Sequence, residues 1–436
     1  MEGRVKPRTL SGFIELMPRE QIEFDRIKGI IESHYQRAGF IPLDTPAIEA
    51  SEVLLAKAGG ETEKQIYRFT KGDTDLSLRF DLTVPLAKFV AMHQGELSFP
   101  FKRYQIGKVY RGERAQKGRF REFYQADIDI IGDEKLDLIN DAEMPSIIYG
   151  IFKELDFGKF TIRINNRKVL NGFFEELGIK ELIADVLRTI DKIDKIGQDA
   201  VVEELEKLGI EKEKIEKIMN FISIKGSNDE ILDAISKLGI SNELFNEGVN
   251  ELKEVVRCIR AFNVPDDYFS IDLTIARGLD YYTGTVYETI LNDFPSLGSV
   301  CSGGRYDNLA GYYTNKKLPG VGISIGLSRL FYQLCENGVI KGEKATPVKA
   351  LVIPMEVELD EPIKTVAKLR ETGINSCIMF DKKGMKPNLN FANKEGIPYV
   401  IIIGSSELEA GKVMLKDMTQ GTQDLVTLDE AIERLK

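Results

Sequence analysis

Residues Arg111–Asp129 read RGERAQKGRFREFYQADID. The first half packs five basic side chains, Arg111, Arg114, Lys117, Arg119 and Arg121, into a glycine-containing loop. The second half alternates polar and apolar residues. A strand there turns Phe123, Gln125, Asp127 and Asp129 to one face and Tyr124, Ala126, Ile128 and Ile130 to the other. One face is core. The other lines a polar floor beneath a cationic loop, which suits a polyanionic substrate held over a small polar one. A solvated hairpin tip can carry the same basic residues. The carboxylates beside the loop favour a site.

Working outward, Lys102–Arg111 and Glu122–Ile131 read as two strands flanking that loop. Arg19–Ala38 reads as an amphipathic helix, with Ile22, Ile27, Ile30, Ile31 and Tyr35 near helical spacing and Gly39 as its stop. Tyr67–Pro85, including LSLRFDLTVP, reads as strand pieces, and Leu86–His93 as a helix. From Val169 to about Asn263 the pattern is charged, helical and punctuated by glycine. It predicts a helical insertion of roughly 90 residues, longer than an ordinary loop. Strand-like sequence returns at Tyr268–Ile290 and Val300–Asp307. In Gly320–Gly326, Val321, Ile323 and Ile325 alternate with Gly322, Ser324 and Gly326. Such a bare face admits either a flat ligand or another closely packed backbone. Leu327–Gly338 reads as a helix. After a break at Lys341–Val348, apolar strands alternate with helices, which predicts a small, mainly parallel sheet.

The chain of 436 residues is 43% hydrophobic and carries a net charge of −10. That charge argues against a dedicated nucleic-acid packaging protein, although RNA can still be met by local basic clusters. No apolar run approaches the roughly 20 residues that span a bilayer. The N-terminus has no secretory apolar region. Four cysteines, Cys258, Cys301, Cys335 and Cys377, lie far apart, and only His34 and His93 are histidines. A reduced, cytoplasmic protein with no histidine metal site is expected.

No GxxxxGK[ST] loop occurs, and Gly320, Gly322 and Gly326 miss the GxGxxG spacing. The HIGH signature is also missing, so any ATP chemistry needs another scaffold. Three polar constellations stand at or beside strands: Asp81 with Thr83; Arg111 with Gln125 and Asp129; and Arg277 with Asp280, Tyr281 and Tyr282. Singly, each reads as edge or turn residues. Together they supply carboxylates, arginines and phenols to one sheet surface, which suits a zwitterionic amino acid and a phosphate.

At these residues the chain resembles the class II aminoacyl-tRNA synthetases and, within them, the histidyl-tRNA synthetase family. Pro18–Pro46 resembles the dimer-forming motif 1, Tyr110–Ile131 motif 2, and Gly320–Leu330 (GVGISIGLSRL) motif 3. ARGLDYYTGTVYE (Ala276–Glu288) and SGGRYDNL (Ser302–Leu309) are much more specific to the histidine enzymes, and RFDLTVPLA (Arg79–Ala87) is typical of them. The resemblance implies an α/β fold: a class II antiparallel-sheet catalytic domain with a helical insertion, plus a small C-terminal α/β anticodon-binding domain. It places catalytic parts at residues 1–168 and 264–340, the insertion at 169–263, and the anticodon-binding domain at 347–436. This chain has RTLSGFIEL where many members have a PKGTRD-like stretch. It also has Asp81 and Asp129 where glutamate is common, a difference that concerns pocket geometry.

The resemblance further implies ligation of L-histidine to its tRNA through a histidyl-adenylate, with ATP as substrate and Mg2+ held with its phosphates. It gives Arg111 and Arg277 the histidine carboxylate and the α-phosphate, with Arg277 as the key catalytic cation. Arg329 would hold the γ-phosphate, Phe123 would stack on adenine, and Glu113 and Arg119 would complete the ATP site. Asp81, Thr83 and Gln125 would hold the α-ammonium. Asp129 and Tyr282 would bond the two imidazole nitrogens, with Tyr281 beside them. A homodimer and a histidine tRNA partner are implied, and no membrane. The insertion either touches the acceptor arm or is structural, and Lys382–Lys386 either meets anticodon phosphates or is a solvated loop. The alternative of another class is a non-catalytic, histidine-sensing regulatory subunit of ATP phosphoribosyltransferase. The intact RGLDYY context and the C-terminal domain oppose it.

Overall fold

The computed structural model describes residues 5–56, 61–114, 118–275, 282–307, 309–342, 346–379 and 384–436. The chain divides into two compact units, Met1–Ile14 with Ile27–Val339 and Glu15–Arg26 with Ile340–Lys436.

The first unit is built on an eight-stranded sheet. In chain order its strands are β1 (Ile41–Pro42), β2 (Phe101–Tyr110), β3 (Glu122–Ile131), β4 (Phe160–Asn166), β5 (Phe269–Ile271), β6 (Tyr282–Leu291), β7 (Ser299–Tyr306) and β8 (Gly320–Ile325). Their spatial order is β1-β2-β3-β8-β7-β6-β4-β5. The six inner strands are antiparallel, and the short β1 and β5 pair in parallel at the two edges. β2 and β3 run in unbroken register from Tyr110 opposite Glu122 to Phe101 opposite Ile131. The basic loop therefore sits at one end of a long ribbon.

The two faces of β3 divide as the alternation predicts. Ala126, Ile128 and Ile130 are fully buried, and the Tyr35 hydroxyl donates to the Ala126 carbonyl at 2.9 Å. Tyr35 belongs to helix α1 (Pro18–Arg37), where Ile27, Ile31 and Tyr35, four residues apart, form a buried stripe.

One local reading is overturned. Thr83–Pro85 is not strand: helix α2 runs over Thr83–His93. One carboxylate oxygen of Asp81 accepts the Thr83 and Val84 amides at 3.1 and 2.9 Å, which satisfies the donors that a helix start leaves open. Pro85 falls in the first turn, where its missing N–H costs nothing.

Helix α3 (Ile139–Leu155) packs against the sheet. Helices α4 (Arg167–Glu176) and α5 (Glu243–Ala261) begin and end the helical stretch, and α5 packs on both α3 and α4. Helix α6 (Leu327–Glu336) follows β8 directly.

In the second unit, Ala350–Pro354 pairs in parallel with Ser376–Ile378 and Tyr399–Ile403. The sheet is not mainly parallel, however. Val413–Asp417 and Gln423–Val426 add two antiparallel pairings. Only residues 404–412 separate Tyr399–Ile403 from Val413. That is shorter than the dozen or so residues of a parallel crossover, so the chain turns straight back.

Candidate active site

A cleft of about 500 Å³ opens on the polar face of β3. Ten predicted site residues lie among the described residues, and all ten line it: Asp81, Thr83 and Tyr282; Gln125, Asp129 and Phe123; Arg111, Glu113, Arg119 and Arg329. Arg277 and Tyr281, like Asp280 and Lys117, lie outside the described residues.

The strand separates the cleft into two ends. Phe123 and Asp129 are six residues apart, about 20 Å at strand spacing. The loop end is cationic and aromatic. The Arg111 guanidinium lies 4.3 Å from the centre of the Phe80 ring and 5.1 Å from that of Phe123. Such stacking holds a cation flat and leaves its edge for a planar anion. The Arg111 Nε also donates to the Phe80 carbonyl at 3.3 Å. Arg119 meets Glu113 at 3.7 Å. Arg329, in the first turn of α6, donates to the Leu297 carbonyl at 2.6 Å. The Ser328 hydroxyl accepts the Tyr124 amide at 2.9 Å, which ties α6 to the start of β3.

The other end is acidic and buried. Asp127 and Asp129 are 2% and 4% exposed, and Asp81 lies at the same end. Asp129 is held from two sides. Its Oδ2 meets Arg103 Nη2 at 2.6 Å, and its Oδ1 accepts the Tyr306 hydroxyl at 3.0 Å. Burial pushes Asp129 up to about 6, while Arg103 and the Tyr306 hydrogen bond oppose the rise. Burial pushes Asp127 up to about 7, against the pull of Arg103. Gln125 Nε2 donates to Ser324 Oγ at 2.6 Å.

The glycines of β8 explain how so many groups fit. A Cβ on Gly322 would lie 2.2 Å from Asp129 Oδ1, and one on Gly320 would lie 2.4 Å from the Tyr306 ring. The bare face of GVGISIG therefore admits the protein's own carboxylate and phenol. Gly322 and Gly326 reach the cleft as well.

Sequence reading missed Arg103, Tyr306 and the part played by Asp127. A signal existed for Arg103: with Tyr110 and Glu122 paired at the loop, counting inward sets Arg103 opposite Asp129. SGGRYDNL also gains a physical account. Tyr306 supports Asp129, and Gly304 gives room to the Tyr282 ring, whose Cγ would be 3.0 Å from an added Cβ. Arg305 turns away to bond Asp141.

The chain matches the family model described as histidyl-tRNA synthetase over residues 12–330, and the one described as anticodon binding domain over residues 349–436. It is 60% identical over 434 residues to the histidine–tRNA ligase of Clostridium tetani, covering 99% of this chain and 98% of that one. It is 49% identical over 432 residues to that of Finegoldia magna, covering 99% and 100%. The crystal structure of histidyl-tRNA synthetase from Nostoc sp. PCC 7120 superposes with a TM-score of 0.91 at 44% identity, covering 99% of this chain and 100% of that one. An antiparallel sheet floored by motif 2 and closed by motif 3, with a separate C-terminal sheet domain, is the build of a class II aminoacyl-tRNA synthetase. Within that class, the chain belongs to the histidyl-tRNA synthetase family.

Proposed function

We propose that this protein activates L-histidine with ATP and transfers the histidyl group to its tRNA. The observation that carries the reading is the polarity of one cleft, acidic and buried at one end, cationic and aromatic at the other. The acidic end suits an ammonium and an imidazole, and the cationic end suits a triphosphate. Asp81, Thr83 and Gln125 take the α-ammonium. Asp129 and Tyr282 take the imidazole nitrogens, with Tyr281 beside them. A site whose buried polar groups need both ring nitrogens rejects apolar competitors, which would leave those groups unpaired.

Arg111 bridges the histidine carboxylate and the α-phosphate, and Arg277 is the second cation on the same atoms. Phe123, Glu113, Arg119 and Arg329 hold the nucleotide. The carboxylate attacks the α-phosphorus, pyrophosphate leaves, and the tRNA terminal ribose then attacks the acyl carbon and releases AMP. The work of these side chains is alignment and charge neutralisation. Magnesium would arrive with ATP. That ion would be held largely by phosphate and water oxygens.

The proposed domains are catalytic at 1–168 and 264–340, helical insertion at 169–263 and anticodon-binding at 347–436. Tyr282 also borders a second cleft toward the helical stretch, where Arg167, Lys168, Lys180, Arg188 and Lys192 outnumber Glu181, Asp191 and Asp307. That excess of bases supports an acceptor-arm role for the insertion. The Lys382–Lys386 patch is assigned to anticodon phosphates; Lys382 and Lys383 lie outside the described residues. Ile41 and Ile48 are exposed, giving apolar surface for a homodimer through Pro18–Pro46. Among the described residues no helix is long and apolar enough to cross a membrane, and we place the enzyme in the cytoplasm.

Histidine-dependent ATP–pyrophosphate exchange tests the reading. Arg277→Ala should lower the exchange rate by about 100- to 1,000-fold. Asp129→Ala should weaken histidine binding by calorimetry about 10- to 100-fold. No exchange by the parent, with co-purification of a phosphoribosyltransferase, would establish the sensor reading instead.

A further inference from the structure

We propose that Arg103 is the positioning residue that fixes Asp129 in place and keeps it ionised for histidine recognition. The proposal rests on the imidazole role of Asp129 given above. Arg103 is fully buried and does not border the cleft, so it acts only through its neighbours. Its Nη2 holds Asp129 Oδ2 at 2.6 Å from the strand directly opposite. The same nitrogen donates to the Leu82 carbonyl at 3.3 Å. Leu82 lies between Asp81 and Thr83, so one guanidinium joins the two places where the histidine ammonium and imidazole are read.

Charge gives the second line of argument. Around Asp129 stand Asp81 across the cleft, Asp127 on its own strand, the Tyr306 phenol on β7 and, within electrostatic range, the Tyr35 phenol on α1. Among the described residues, Arg103 is the cation that Asp127, Asp129 and the two phenols share. A carboxylate that has lost its proton accepts an imidazole N–H, and a protonated one offers its own hydrogen instead. Without Arg103, burial beside like charges would favour the protonated form.

Geometry gives the third. Aspartate is one methylene shorter than glutamate, so it has less reach and must be placed by its surroundings. Arg103 holds one oxygen, Tyr306 the other, and Gly322 lets the carboxylate lie against β8. Among the described residues, Arg103 Nε and Nη1 have no hydrogen-bond partner. A guanidinium serving only to tie backbone together would spend its donors on carbonyls, as Arg79 does on those of Lys108 and Thr45.

Steady-state exchange kinetics of Arg103→Met, Arg103→Lys, Asp129→Asn and Arg103→Met/Asp129→Asn test this. Arg103→Met should raise the histidine KM about 10- to 100-fold, with kcat and the ATP KM within about threefold of the parent. Its kcat/KM for histidine should have its acid limb moved to higher pH, because Asp129 loses its cation. The titration of free histidine is common to all variants and does not produce that difference. Arg103→Lys keeps the charge and should keep the parental limb with a smaller rise in KM. If Arg103→Met does not fold, Arg103→Lys carries the test: a rise in histidine KM alone supports the proposal, and an equal rise for ATP overturns it. In the Asp129→Asn background, Arg103→Met should add less than about threefold. A full additional loss there, or a histidine KM in Arg103→Met within threefold of the parent, overturns the proposal and leaves the imidazole role of Asp129 standing. An unchanged histidine KM in Asp129→Asn alone brings down that role itself, and Arg103 with it.

Discussion

Among the described residues the sheet buries two arginine–aspartate pairs, and they are built differently. Arg305 lies on β7, one residue before Tyr306, and meets Asp141 at the start of α3. Its Nε reaches both Asp141 oxygens at 3.0 Å, its Nη2 meets Oδ2 at 2.5 Å, and Nη2 also donates to the Asp137 carbonyl. Both side chains are almost wholly buried, and neither borders the active-site cleft. Burial raises Asp141, and Arg305 opposes the rise. This pair closes on itself and fastens a helix to the sheet. Arg103 and Asp129 are buried to the same degree, but they share one short contact, and Asp129 divides its oxygens between an arginine and a phenol at the edge of the cleft. Burial and residue type are alike. What separates a fastening pair from a site pair is whether the carboxylate still faces a space where a substrate fits.

The largest expected effect comes from breaking the fastening pair. Arg305→Met strands Asp141 in the interior without its cation, and unfolding in urea should show a loss of about 3–5 kcal/mol. Histidine and ATP KM values of the folded fraction should stay within about twofold of the parent. A stability loss under about 1 kcal/mol would mean that Arg305 and Asp141 do not fasten the helix. Next is Gly322→Ala, which acts on the other pair through space alone. The new Cβ would lie 2.2 Å from Asp129 Oδ1 and 2.6 Å from the Ile128 carbonyl, so the carboxylate or the strand must move. Histidine-dependent exchange should fall about 100-fold, the order expected for a misplacement near 1 Å, with little change in ATP KM. Parental activity in Gly322→Ala would mean that Asp129 is not held where the histidine sits.

The two pairs also differ in how far the sequence reveals them. Asp129 was legible because period-two alternation in FYQADIDI separates acids from aliphatics on one strand. Its assignment to the imidazole together with Tyr282 rests on resemblance and not on any local pattern. Arg103 was legible only to someone who could count register across the hairpin, which needs the loop's last paired residues. Arg305 and Asp141 are 164 residues apart in sequence and meet because α3 returns over the sheet. No local pattern encodes that. The same limit hid the start of α2. Pro85 reads as the end of an extended run, and only the cap that Asp81 supplies marks a helix start before it. Gln423–Val426 was missed because three of its four residues are exposed and leave no alternation to read.

Reckoned per pH unit, the smallest expected effect is a pH slope, which tests whether the acidic end is electrostatically loaded. Asp127 is buried beside Asp129 and Asp81, with Arg103 as the opposing cation, and stands at about 7. An unfolded aspartate titrates near 3.9. Below about pH 4 both states hold the proton, and the group contributes nothing to the difference. Between about pH 4 and 7 the folded state keeps a proton that the unfolded state has lost, so stability falls as pH rises, by at most about 1.4 kcal/mol per unit for one group. Above about 7 the slope ends and the penalty is complete. Asp129, at about 6, adds a similar term in an overlapping window. Asp127→Asn removes one of the two and should gain on the parent as pH rises from 4 to 7. Histidine should narrow that gap, because its ammonium and ring N–H groups favour the ionised acids. Parallel stability curves for parent and variant across this range would mean that Asp127 stays ionised throughout, and the acidic end would then be a far more polar place than its burial implies.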